Sequence, residues 1–71
     1  MKYEKAIMRE YKNINNGGRE RVYRRSDGSY YINSDWGDGF SIDLTKVSKS
    51  EMEGCLRFTN APQDVIDAML G

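Results

Sequence analysis

The sequence predicts a small α+β domain: an antiparallel sheet of three to four strands with a short C-terminal helix and, on one of two readings, an N-terminal helix. Three observations carry this. Asp27-Gly28 separates two strand-like runs, Phe40, Ile42 and Leu44 alternate with polar residues, and Val65, Ile66, Met69 and Leu70 form an apolar stripe behind Pro62.

Residues 2–12 read two ways. As a helix, Tyr3, Ile7, Tyr11 and Ile14 recur at near four-residue spacing among good helix formers. As a strand, Tyr3, Ile7 and Tyr11 share a face with Lys5 and Arg9, and Asn15-Asn16-Gly17-Gly18 becomes a hairpin loop. The strand pattern carries charge on both faces, so the helix is the cleaner reading. Residues 19–25 and 29–35 flank Asp27-Gly28, a dipeptide suited to a tight type I′ turn. A two-residue turn sets Arg25 opposite Tyr30, Arg24 opposite Tyr31, Tyr23 opposite Ile32 and Val22 opposite Asn33. Tyr23, Tyr30 and Ile32 then face the core, and Arg24, Tyr31 and Asn33 face away. Trp36-Gly37-Asp38-Gly39 reads as a second turn and 40–44 as a half-buried strand. Ser48 with Glu51 forms a capping box, but Gly54 weakens a helix there, so 49–59 stays open between helix and strand. Asn60 or Ala61 starts the last helix, with Pro62 in its first turn and Asp64 at its positive end.

Length and composition allow one small domain over residues 1–71 with little core. A chain of this size buries only about 60% of its unfolded surface, and Val, Ile, Leu and Phe number 13 of 71. Tyr, Trp and Met must supply much of the rest. One cysteine, Cys55, excludes an intrachain disulfide and points to a reducing, cytoplasmic setting. No apolar run approaches the ~20 residues of a membrane span, and Met1-Lys2-Tyr3-Glu4-Lys5 leads into charge, not a signal-peptide core.

Catalytic motifs find no support. Setting Gly39 at the invariant glycine of a calcium loop puts Ser34 and Trp36 at ligand positions and Thr45 where a bidentate Glu belongs, so a turn between strands is the better account. Asp35, Asp38 and Asp43 make at most a loose acidic cluster. With no His in the chain a Ser or Cys nucleophile lacks its usual base, and Cys55 reads as a small core residue. Glu51 with Glu53 and Asp64 with Asp67 read as solvated surface. No enzyme, cofactor or metal is expected.

Charge is the informative feature. The net charge is zero, yet residues 1–25 hold eight Lys/Arg and three Glu, while residues 26–71 hold three Lys/Arg and eight Asp/Glu. Arg19, Arg21, Arg24 and Arg25 crowd one strand beside Tyr30 and Tyr31, the residue types of a nucleic-acid platform and equally of ordinary cross-strand packing. A sequence pI of about 6.2 and the intervening Glu20 weigh against nucleic acid. Trp36 either covers the edge of a thin core or anchors a protein interface.

Residues 61–70, Ala-Pro-Gln-Asp-Val-Ile-Asp-Ala-Met-Leu, resemble the closing helix of the small archaeal chromatin proteins, where Ala-Pro leads into a short helix packed on an SH3-like barrel. The resemblance covers ten residues and implies a small twisted sheet with a terminal helix. Those proteins are lysine-rich throughout and this chain is not, so their DNA binding is not carried over.

The expected function is non-enzymatic binding by an adaptor or inhibitor of a larger protein, such as a nucleic-acid-processing complex, through Arg19, Arg21, Arg24, Arg25, Tyr31 and Trp36 or the acidic C-terminal half. Size, charge and the missing catalytic groups also suit accessory proteins of phages and mobile elements, among them anti-restriction and anti-CRISPR inhibitors. The alternatives are an RNA- or single-strand-binding module using the same Arg/Tyr strand, and a homo-oligomer pairing the basic and acidic halves.

Overall fold

In a computed structural model that describes residues 6–15, 17–35, 37, 39–40 and 44–71, the chain forms β1 (Ala6–Lys12), β2 (Arg19–Arg25), β3 (Tyr30–Asp35), β4 (Thr45–Val47), α1 (Lys49–Phe58) and α2 (Gln63–Leu70). Among the described residues the strands make one antiparallel sheet in the order β1-β2-β3-β4, in which β1 and β4 do not pair with each other. α1 packs over β3, and α2 over β1 and β2. The α+β class and the C-terminal helix are as expected.

The helical reading of residues 2–12 is corrected: residues 6–12 are a strand, and Tyr3 lies outside the described residues. All seven residues of β1 pair with β2, and the connecting loop closes through Asn13 N to Gly18 O at 2.8 Å and Gly17 N to Asn13 O at 2.8 Å, with Gly17 at φ 75°. A complete ladder outweighs helix propensity, which is a weak prior of under ~1 kcal/mol per residue. The supposed helical stripe does not bury together, since Tyr11 is in the core while Ile7 and Ile14 are exposed.

The register of the β2–β3 hairpin is also corrected, by one residue. Arg24 lies opposite Tyr30, Tyr23 opposite Tyr31 and Val22 opposite Ile32. The loop holds three residues, Ser26, Asp27 and Gly28: Gly28 N donates to Arg25 O at 3.0 Å, and Arg25 N to Ser29 O at 2.9 Å. Gly28 has φ 90°, whereas Asp27 stays at negative φ and accepts the Ser29 N–H at 2.9 Å and hydroxyl at 2.6 Å. A type I′ turn needs two positive φ values; this geometry is the type I turn with a following left-handed glycine. The slip moves Tyr23 off the core face and Arg24 onto it, as a one-residue shift between strands must. A Cβ at Gly28 meets nothing within 4 Å, so the cost of Gly28→Ala is backbone strain alone. A loss of about 1 kcal/mol in urea unfolding is expected, with Gly28→Asn milder.

The strand expected over 40–44 lies partly outside the described residues, and the ladder with β3 runs instead over Thr45–Val47. Phe40 and Leu44 are outside strands. The Asp35 carboxylate accepts the Gly37 N–H at 2.8 Å and the Gly39 N–H at 2.9 Å, so the chain turns away from β3 before pairing resumes. Trp36, Asp38 and Asp43 lie outside the described residues, and with them the rest of the turn and of the acidic cluster.

The open segment 49–59 is helix over Lys49–Phe58, with Thr59 as its C-cap. Ser48 Oγ accepts the Glu51 N–H at 3.1 Å and Glu51 Oε1 accepts the Ser48 N–H at 2.8 Å, the reciprocal capping box. Asn60 does not start the last helix but ends α1: at φ 57° it donates to Arg57 O, and Ala61 donates to Leu56 O at 2.9 Å. This Schellman closure brings buried Ala61 against Leu56, and Pro62 then caps α2.

The core is one layer between the sheet and the helices, made of Tyr11, Val22, Tyr30, Met52, Leu56, Ala61, Val65 and Met69. The Tyr11 hydroxyl bonds Thr59 Oγ1 at 2.6 Å, and burial pushes its pKa from 10.0 up to about 12. Because the folded value is the higher, this contribution is intact below pH 10 and lost as pH rises towards 12. Wild type should lose on the order of 2 kcal/mol relative to Tyr11→Phe across that window, read as the difference between their urea midpoints.

Candidate docking face

Residues directly opposite in an antiparallel pair point to the same side of the sheet. The helix side therefore takes Tyr11, Glu20, Val22, Arg24, Tyr30, Ile32 and Val47. Among the described residues the other side carries no helix. Its central row runs Met8, Tyr23, Tyr31, Lys46 across all four strands, with Ala6 and Arg25 in the row nearer the Asp27-Gly28 turn. Beyond the tyrosines come Glu10, Arg21 and Asn33, then Lys12, Arg19 and Asp35.

The centre of this face is apolar and its rim is charged. Ala6, Tyr23, Arg25, Tyr31 and Leu44 line a shallow depression of about 170 Å³. Met8 beside it is 43% exposed and Leu44 44%. The Arg25 guanidinium lies 5.6 Å from the centre of the Tyr31 ring. The Arg21 guanidinium stacks at 3.7 Å on Phe40, and its Nε donates to Glu10 Oε1 at 2.8 Å. Arg19 also pairs with Glu10. The Arg21 hydrogen bond, ahead of the Arg19 contacts, holds the Glu10 carboxyl below its usual range.

The residues expected to bind are thus divided. Arg19, Arg21, Arg25 and Tyr31 share the helix-free face. Arg24 does not: its Nη1 donates to Ala68 O at 3.4 Å and Gly71 O at 3.0 Å, neutralising the C-terminal carbonyls of α2. Trp36 lies outside the described residues. Met8, Tyr23, Leu44 and Lys46 are additions, of which Met8, Tyr23 and Lys46 become visible in the sequence only with the correct register. Tyr30, expected on the core face, is buried there.

The charge division along the chain becomes in part a division between two sides. Among the described residues the helix-free face holds five cations, Lys12, Arg19, Arg21, Arg25 and Lys46, against Glu10 and Asp35. The helix side is nearly balanced, with Arg9, Arg24, Lys49 and Arg57 against Glu20, Glu51, Glu53, Asp64 and Asp67. Elsewhere, a groove of about 230 Å³ between the helices is lined by Glu53, Leu56, Arg57, Gln63, Ile66 and Leu70, with none of the expected binding residues. Burial raises the pKa of the half-buried Cys55 thiol, the reverse of activation. Among the described residues no group of three or more His, Cys, Asp or Glu is placed to hold a metal, and no helix is long and apolar enough to cross a membrane.

Comparison with protein-family models, with curated proteins and with solved structures returned no match.

Proposed function

We propose that this chain is a small non-enzymatic binding domain, an adaptor or inhibitor that docks its helix-free sheet face onto a larger protein. The observation that carries the reading is the pair Tyr23 and Tyr31, directly opposite each other on the two central strands, beside a depression rimmed by Arg25. Half-exposed Tyr, Met and Leu surrounded by Arg is the arrangement of an interface centre with its polar rim. The reading places the protein in the cytoplasm, where Cys55 stays reduced. Its size and charge suit the accessory inhibitors of phages and mobile elements, anti-CRISPR and anti-restriction proteins among them.

The test compares three baits in a nuclease-treated lysate: wild type, Tyr23→Thr/Tyr31→Thr, and Phe58→Ala. Threonine preserves strand propensity, and Phe58 is exposed on the helix side. A protein held by wild type and Phe58→Ala, and reduced about tenfold or more on the double variant, supports the reading; a loss of that size corresponds to about 1.4 kcal/mol of binding. Equal retention by all three baits refutes it, provided the thermal midpoint of the double variant shows that it is folded.

A further inference from the structure

We infer that the partner presents an acidic protein surface from which one apolar side chain enters the depression between Tyr23, Tyr31 and Leu44. This rests on the docking reading above and names the chemistry of the occupant. The depression, about 170 Å³, is below the ~300 Å³ at which small-molecule pockets begin, and suits a single inserted side chain. Arg25 over Tyr31 and Lys46 opposite Tyr31 set cations on two sides of it. Among the described residues the strands place five cations against two anions on this face, and even with Asp27 of the adjoining turn acting on Arg25 and Lys46 the balance stays basic, so an acidic surface is steered to it and a basic one repelled.

Two other occupants fit less well. A nucleic-acid strand needs an uninterrupted line of cations for its phosphates, yet Glu10 opposite Arg21 and Asp35 opposite Arg19 break the line on this face, and Arg24 is turned to the opposite side to bond the end of α2. A second copy would have to bring the acids of its helices to this basic face. Those two surfaces lie on opposite sides of the chain, so the contact is head to tail and stacks without the two-fold closure of an ordinary dimer.

The experiment is an amide NMR titration of the full chain with three probes: a peptide with Leu flanked by Glu, the same peptide with Lys for Glu, and a short oligothymidine. The expected result is shifts at Ala6, Tyr23, Arg25, Tyr31, Leu44 and Lys46 with the acidic peptide alone. Arg25→Glu/Lys46→Glu should weaken that binding by about tenfold or more. If the basic peptide shifts the same residues equally, the face docks proteins but the acidic assignment is wrong. Tighter binding by oligothymidine at these residues overturns the inference in favour of nucleic acid. Shifts confined to other surfaces, or none, overturn both the inference and the docking reading.

Discussion

Glu20→Ala should lower the free energy of unfolding by about 3 kcal/mol. Glu20 is 4% exposed on the helix side of β2, between Tyr11 on β1 and Ser34 on β3. Its Oε2 accepts the Asn13 side-chain amide at 3.0 Å and its Oε1 the Ser34 hydroxyl at 2.6 Å. Asn13 in turn shapes the β1–β2 loop, its Oδ1 accepting the Asn15 N–H at 2.9 Å, and the Asn15 amide reaches Phe58 O at 2.6 Å. Truncation strands the buried Asn13 amide and the half-buried Ser34 hydroxyl and loosens the tie from that loop to the end of α1. Glu20→Gln keeps the volume and an acceptor for Ser34, so its cost should be nearer ~1 kcal/mol. A stability of about 4–10 kcal/mol is ordinary for 71 residues. The alanine variant should therefore unfold at a much lower urea midpoint, and an unchanged midpoint would show that the network contributes nothing.

Leu56→Ala should cost a similar amount, about 3 kcal/mol within the 2–5 kcal/mol range for buried leucines. Leu56 is fully buried with Met52, Met69 and Val22, and it accepts the Ala61 N–H that closes α1. In so thin a core few neighbours are available to collapse into the cavity. Phe58, two residues on, is 76% exposed, and Phe58→Ala should change stability by no more than about 0.5 kcal/mol. A reversed order of the two costs would contradict the placement of α1.

The parts of the fold legible in the sequence were those set by local chemistry. Ser48 with Glu51 marks a helix start through bonds within one turn, Pro62 with Asp64 marks another through a fixed φ and an acid at the positive end of the helix, and Asp27-Gly28 marks a reversal. Parity across strands was not legible, because a two- or three-residue loop at Asp27-Gly28 differs only in the local conformation of Ser26 and Asp27, yet that choice decides whether Tyr23 or Arg24 faces the helices. The docking face inherits this: the two-residue turn set Tyr31 opposite Arg24, and only the shifted register puts Tyr31 on one face with Arg19, Arg21 and Arg25 and brings in Tyr23, Met8 and Lys46. The N-terminal segment misled for a related reason. Tyr11 is buried through a hydroxyl that meets Thr59, 48 residues away, and a periodicity count within 2–12 carries no trace of that partner.

The most direct test of the docking face is a hydroxyl-radical footprint of the protein, free and bound to the partner it captures, read residue by residue by mass spectrometry. The account predicts that oxidation of Met8, Tyr23, Tyr31 and Leu44 falls on binding while that of Ile14 and Phe58, the most exposed apolar residues away from this face, is unchanged. Protection of Ile14 and Phe58 with Met8, Tyr23 and Tyr31 left reactive would contradict it.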